Sequence, residues 1–337
     1  MINTGKPLSK VLLSRTMSWK KNIQEKNATV CKEMLIPGNH IEINRCLLCG
    51  NETFPKVTIE AVPYGMCNTC NHLQASKRPV ARFLSDLYGS NDDVTSTQNL
   101  AYVDISKQDL ELRVDEIARP KVKFVAENVS FSQSDLWIDI GSGTGDILIS
   151  ARDEGFDILG IEVSPTEISV AAERKVPTLE MFYDGTQEIP SISKAKVVSI
   201  FNVLEHTLDP YFFLKSIASQ MSKQSYLVIE VPRLNSATSV IQYTTPPIHY
   251  RHIYPPEHLN IFSDKSIEVL LKKLDMGIVS KWLFGSDAIE IFGYVTALLQ
   301  PNVNDDMCKF EEEINLLQKN LDEAGLSDVM LLVAKKS

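Results

Sequence analysis

Apolar residues in the second half of the chain fall in short runs, separated by polar stretches long enough to hold a helix. Leu136-Trp-Ile138, Phe156-Asp-Ile-Leu-Gly-Ile161 and Ala195-Lys-Val-Val-Ser-Ile-Phe201 are such runs. Short apolar runs bounded by turn signals are buried strands. Spacers of this length serve as crossover helices, so the pattern predicts a parallel, doubly wound sheet. Strands are predicted at 136–140, 157–162, 178–183, 196–201 and 225–231. Gly277-Ile-Val-Ser-Lys-Trp-Leu283 and Asp328-Val-Met-Leu-Leu-Val333 supply the last two, with helices over Asp287 to Gln300 and Met307 to Ala324 between them. Upstream, Gln74 to Asn128 reads as mainly helical, with a polar loop around Gly89-Ser-Asn-Asp-Asp93; Val114, Ile117, Val122 and Phe124-Val125 give it an apolar face.

The first predicted strand runs into Asp139-Ile-Gly141-Ser142-Gly143-Thr144-Gly145-Asp146 and then into a helical run from Ile147. Alternate glycines allow a tight turn with backbone close to a ligand, and the free N–H groups of the next helix favour an anion. A dinucleotide fingerprint would place a small residue at position 146, where this chain has Asp. The second strand ends in Glu162, twenty-three positions after Asp139, where a doubly wound sheet places an acid for ribose hydroxyls. The fourth runs into Asn202-Val-Leu-Glu205-His206-Thr-Leu-Asp209-Pro210. Together the GxGxG turn, Glu162-Val-Ser-Pro165 and this last phrase resemble the motifs of class I S-adenosylmethionine-dependent methyltransferases. The resemblance implies a Rossmann-like α/β sheet whose last strand is antiparallel. It also implies a donor site on Asp139, Gly141, Ser142, Gly143, Thr144, Gly145, Glu162, Val163, Asp184, Asn202 and Val203.

Four of the six cysteines fall as Cys46-Leu-Leu-Cys49 and Cys67-Asn-Thr-Cys70, with seventeen residues between the pairs. Two such knuckles on a short β-ribbon bring four thiolates to one tetrahedral zinc, a closed structural site with no open position for chemistry. Disulfides are disfavoured in a reducing compartment, and a redox pair would use one knuckle rather than two. Cys31 and Cys308 lack partners at ligand spacing and read as ordinary thiols.

Composition narrows the function. The chain has 337 residues, 44% hydrophobic and 23% charged, and so can bury a large core. It shows no apolar run near ~18 residues and no signal-peptide core, so a cytoplasmic enzyme without a membrane span is expected. Net charge is −9, yet residues 1–45 carry eight Lys or Arg against three Glu. That basic lead reads as a solvated helix face around Val11 to Met34. An acidic body, and a ribbon whose only basic residue between the outer cysteines is Lys56, argue against nucleic acid as a partner.

Residues 232–263 exceed a minimal fold and are rich in Pro, aromatics and His, directly after the fifth strand. Loops at the carboxyl edge of a parallel sheet are where ligands sit. His249 and His252 read as loop-capping residues. Glu257-His258 reads as an acid orienting an imidazole that can act as general base. With the four-Cys ribbon and the Asn202–His206 phrase, this segment resembles the zinc-containing C-methyltransferases of nucleotide-linked keto-deoxysugars, over most of residues 43–337. In that family the phrase reads Tyr-His-Glu-His, and its Tyr, Glu and last His serve substrate binding and proton abstraction. Here Tyr254, Glu257 and His258 match while Pro255-Pro256 replaces the first His and adds a residue. His206 matches a family His near the reacting sugar, and Tyr88 a family active-site Tyr.

The expected organisation is a basic extension (1–42), a zinc ribbon (43–78), a helical lead-in (79–132) and a methyltransferase domain (133–337) with its insertion at 232–263. The expected activity is C-methylation of a nucleotide sugar, with His258 as base and His206, Tyr254 or Tyr88 at the enolate oxygen. O- or N-methylation of a sugar or small metabolite, and a non-catalytic donor-binding partner, are the alternatives.

Overall fold

The computed structural model of the protein describes residues 2–9, 17–89, 107–244, 252–299 and 307–336. His249, the polar loop after Gly89 and the side chain of Cys308 lie outside the described residues. The strands are β1 (Ile2–Thr4), β2 (His40–Glu42), β3 (Phe54–Ile59), β4 (Val62–Met66), β5 (Leu73–Ala75), β6 (Lys77–Pro79), β7 (Leu136–Ile140), β8 (Asp157–Glu162), β9 (Thr178–Glu180), β10 (Ala195–Phe201), β11 (Tyr226–Pro232), β12 (Asn260–Ile261), β13 (Met276–Phe284) and β14 (Val329–Lys336).

Eight of them form one sheet in the order β1-β13-β14-β11-β10-β7-β8-β9. β7 through β11 are parallel, as the sequence pattern predicts, and β14 runs antiparallel to both of its neighbours, as the family resemblance implies. Both faces are covered. Trp137, Val197, Val228 and Leu331 belong to one core and Ile138, Val198, Leu227 and Leu332 to the other. Successive strand residues point to opposite faces, which is why these strands read as unbroken apolar runs. β9 ends three residues earlier than predicted, because Met181, Phe182 and Tyr183 leave the sheet to line a cavity.

Strands β1, β2 and β12 fall outside the predictions. β1 pairs in parallel with β13 at the sheet edge, and Gly5 N–H then donates to the Leu283 carbonyl at 2.7 Å. β12 lies in the 232–263 segment and pairs with β5, completing a four-stranded sheet in the order β12-β5-β4-β3. The predicted helix is corrected at its start: Gln74 to Pro79 form β5 and β6, and the helices begin at Ala81 and Lys107. Their extended state is fixed by partners far away in sequence, β12 and β2, which local periodicity does not register. The helix Met17–Met34 also differs from a solvated face. Lys32 and Glu33 are exposed, but Val30, Cys31 and Met34 are buried against Ile59, Tyr64 and Leu73.

Candidate active site

One cavity of about 800 Å³ opens at the carboxyl ends of β7, β8, β10 and β11. Its first wall is the glycine turn. Gly141, Gly143 and Gly145 all have positive φ (+75°, +52° and +84°), a region that side chains with a Cβ enter at a cost. Their roles differ. A Cβ on Gly141 would stand 2.5 Å from Val203 Cγ2, and one on Gly145 would stand 2.8 Å from Val176 Cγ2, so both let packed neighbours approach. At Gly143 the nearest atom would be 3.6 Å away, and this residue lines the cavity, whereas Gly145 does not. Glu162 is buried at the end of β8, and its carboxylate organises the turn. Gly143 N–H donates to one oxygen at 2.9 Å, and Val163 and Ser164 N–H donate to the other at 2.7 and 2.9 Å. A carboxylate offers about four lone-pair sites, so these three bonds leave capacity for a ligand hydroxyl.

Asp139, Ser142, Thr144, Val163, Asp184, Asn202 and Val203 line the same cavity. Asp139 accepts from Ser199 Oγ at 2.6 Å, and burial pushes its carboxyl well above the usual range. Asp184 accepts from Thr186 N–H and Oγ at 2.9 and 2.6 Å. Asn202, at φ +54°, donates through Nδ2 to Glu230 at 2.9 Å.

The opposite wall gathers side chains from three separate parts of the chain. A short 3₁₀ turn, Leu204–His206, follows β10 and presents His206. His258 comes from the segment after residue 252, and its ring lies edge-on to His206 with centroids 4.8 Å apart. Tyr254 also meets the His258 ring edge-on, at 5.9 Å. Tyr88, from the helix Ala81–Gly89, places its hydroxyl 3.0 Å from His206 Nδ1. His258 Nδ1 lies 2.8 Å from the His252 carbonyl, and a carbonyl only accepts, so Nδ1 carries a proton and the neutral ring has its lone pair on Nε2. Burial lowers the His206 imidazole to about 4 and raises the Glu257 carboxyl to about 7. The neighbouring Glu205 carboxyl rises to about 8, again through burial. His206 and Glu205, 4.0 Å apart, are therefore a neutral pair and not a salt bridge.

The cysteine ribbon buttresses this wall. Arg78 on β6 is buried and donates to the carbonyls of Thr207, Leu208 and Leu259 at 2.8, 2.9 and 3.0 Å, tying the His206 turn to the His258 loop. Tyr64 on β4 donates its hydroxyl to the His258 carbonyl at 2.8 Å. His252, read from sequence as a loop cap, is anchored by Asp328 at 3.0 Å, and Asn27 Nδ2 donates to the Pro255 carbonyl. The two knuckles repeat one geometry. Gly50 and Asn71, both left-handed, donate back to the Cys46 and Cys67 carbonyls at 2.8 Å, and the Cys46 and Cys67 N–H groups bond to Asn51 and His72. Cys46 and Cys70 sulfurs are 3.5 Å apart and those of Cys49 and Cys67 3.4 Å. All four lie within 4.8 Å of one another. Four Zn–S bonds of ~2.3 Å set sulfurs about 3.8 Å apart, so the quartet fits a tetrahedral ion.

Several cavity residues were not singled out from sequence. Lys121 donates to Glu230 at 2.6 Å, a buried pair beside Phe201 and Phe284. Lys6, brought in by the strap after β1, is lowered to about 8 by burial and by Lys121. A glutamate inside the apolar run Tyr226–Pro232 was the available signal, since a charge in a buried strand needs a partner. Glu205 stood in the phrase that marks His206 but carried no assigned role.

Residues 111–281 match the family model described as Methyltransferase domain. No curated protein matches the sequence. Among solved structures, a SAM dependent methyltransferase from Archaeoglobus fulgidus shares 22% identity, covering 66% of this chain and 94% of its own, with a TM-score of 0.45. A geranyl diphosphate C-methyltransferase from Streptomyces coelicolor A3(2) shares 11% identity over 69% of this chain and 87% of its own, with a TM-score of 0.44. A possible histamine N-methyltransferase from Thermotoga maritima shares 13% over 70% and 97%, with a TM-score of 0.45.

Proposed function

The protein belongs to the methyltransferase-domain family, whose model covers just over half of its 337 residues, and from that premise we propose that it methylates a small molecule using S-adenosylmethionine. The observation that carries the reading is the facing of two walls across one cavity, a glycine turn closed by a buried carboxylate on one side and two imidazoles on the other. S-adenosylmethionine supplies an electrophilic methyl on a sulfonium centre. The donor fits the first wall. Gly143 leaves room for a ligand against its backbone, and Glu162 offers lone pairs to ribose hydroxyls.

The acceptor class that fits best is a nucleotide-linked keto-deoxysugar, methylated at the carbon next to its ketone. His258 Nε2 takes the proton from that carbon, and Nδ1–H holds the ring in place against the His252 carbonyl. His206, Tyr254 or Tyr88 stabilises the oxygen on which charge develops. The walls contribute mainly by holding the reacting groups in line. The four cysteines hold a structural zinc, and the ribbon around it shapes the acceptor wall.

Exchange of the substrate's α-hydrogen in heavy water without methyl donor tests this directly. Incorporation of deuterium, lost in His258→Asn, is the expected result. Methylation of a hydroxyl or amine with no carbon-bound exchange would refute the C-methylation assignment.

A further inference from the structure

Beside His258, the acceptor wall contains a group that proton abstraction alone does not require. Glu205 is fully buried on the cavity wall, and both of its carboxyl oxygens lack a hydrogen-bond partner. Buried polar atoms are nearly always satisfied, so a carboxyl with two unpartnered oxygens on a residue that lines a cavity marks a place for a ligand. The nearest side chains are metal ligands by type. One oxygen of Glu205 and one ring nitrogen each of His206 and His258 lie within 4.8 Å of one another, and Glu205 Oε1 is 4.0 Å from His206 Nε2.

Both imidazoles are held in place by backbone carbonyls. His258 Nδ1 lies 2.8 Å from the His252 carbonyl and His206 Nδ1 lies 3.1 Å from the Glu257 carbonyl. A carbonyl bonded to one ring nitrogen holds the proton there, the outer-sphere support found around metal sites, and the His206 ring is held further by the Tyr88 hydroxyl and the Asn202 backbone. The carbonyls themselves are held. His252 is pinned by Asp328, and the backbone of residues 257–259 is tied to the ribbon and to the Glu205 carbonyl.

We propose that Glu205, His206 Nε2 and His258 Nε2 form a binding site for a divalent first-row metal cation, separate from the cysteine site. One carboxylate and two imidazoles leave positions open on the ion. Metal–ligand bonds of ~2.1 Å need ligand atoms about 3 Å apart, so the three side chains close by roughly 1–2 Å on binding. The inference rests on the reading of this cavity as the acceptor site. The open positions suit an acceptor with two adjacent oxygens, a keto-hydroxyl or diol unit of a sugar. The ion polarises an oxygen it holds and makes the neighbouring C–H or the hydroxyl more acidic. A bound ion would supply Lewis acidity at that oxygen; the proton would leave to solvent water while the acceptor's electron pair forms the bond to the methyl carbon and the sulfur keeps the pair of the broken S–CH₃ bond. In that loaded state His258 serves as ligand, and in the metal-free protein it is the base.

Mn²⁺ is the probe of choice, since thiolate sites favour softer ions. The full-length protein is titrated with Mn²⁺ while the paramagnetic resonance signal of the free ion is followed. The expected result is one Mn²⁺ per chain, with affinity reduced at least about tenfold in Glu205→Gln and in His206→Gln. Unchanged circular dichroism and unchanged S-adenosylmethionine affinity would show those variants folded. Absence of Mn²⁺ binding, or binding that survives Glu205→Gln, overturns the site. Two outcomes separate it from the acceptor reading. Methyl transfer that falls in His258→Asn but resists both chelator and Glu205→Gln removes the cation and keeps the reading. Glu205-dependent Mn²⁺ binding with full turnover in His258→Asn keeps the cation and removes the reading.

Discussion

The two walls of the cavity are built by different means. The wall proposed for the donor is local, one strand–turn–helix with its next strand, and it is made largely of backbone: positive-φ glycines and N–H groups organised by Glu162. The wall proposed for the acceptor is assembled from Tyr88, the Leu204–His206 turn and the 252–258 loop, and it is held in register by Arg78 and Tyr64 of the ribbon. A backbone-built wall needs only its own strands to be in place. A wall of side chains drawn from three places depends on whatever fixes those places. The ribbon should therefore matter to acceptor chemistry far more than to donor binding.

Loss of the proposed zinc breaks the comparison most severely. Cys67→Ser is expected to lose the ion, lower stability by several kcal/mol and abolish methyl transfer, because β4, β5 and β12 lose their organising ligand. Donor affinity, read by calorimetry below the melting temperature, is expected to stay within a few-fold. Equal loss of donor binding would show that the two walls are not separable. Next in size is His258→Asn, expected to depress methyl transfer by roughly 10²–10⁴ with donor affinity nearly unchanged. Near-normal turnover would shift the role to His206.

The mirror experiment damages the donor wall. Gly143→Val forces a β-branched residue to φ +52° and fills the space against the cavity, so donor affinity should fall about a hundredfold while the zinc stays bound. Gly145→Ala sharpens the contrast, since its Cβ would meet Val176 and not the cavity; it should cost stability before donor contact. The smallest effect is expected from Tyr64→Phe, which removes one hydrogen bond to the His258 carbonyl. About 0.5–1.5 kcal/mol of stability and a few-fold of turnover should go, with donor affinity unmoved. A turnover loss as large as that of His258→Asn would mean that Tyr64 acts on the acceptor itself.

The same difference explains what sequence could foretell. β7 and β8 begin and end where the apolar runs predict, and the glycine turn lies between them, because each is specified within a few neighbouring residues. β1 and β12, three and two residues long, carry no periodicity and exist only through pairing with β13 and β5. Glu205 was visible as a letter of a motif, but its two idle oxygens are a property of packing. Arg78 gave no local sign of tying the His206 turn to the His258 loop, since all its partners lie more than a hundred residues away.

The central claim is that a methyl group crosses from one wall to the other, and mass spectrometry of the reaction reads that event itself. Full-length protein is incubated with S-adenosylmethionine carrying a labelled methyl and with a pool of nucleotide-linked keto-deoxysugars. The account predicts one labelled methyl on a sugar carbon, absent in both Gly143→Val and His258→Asn. An unlabelled pool after incubation with protein that binds the donor and retains its zinc would contradict it.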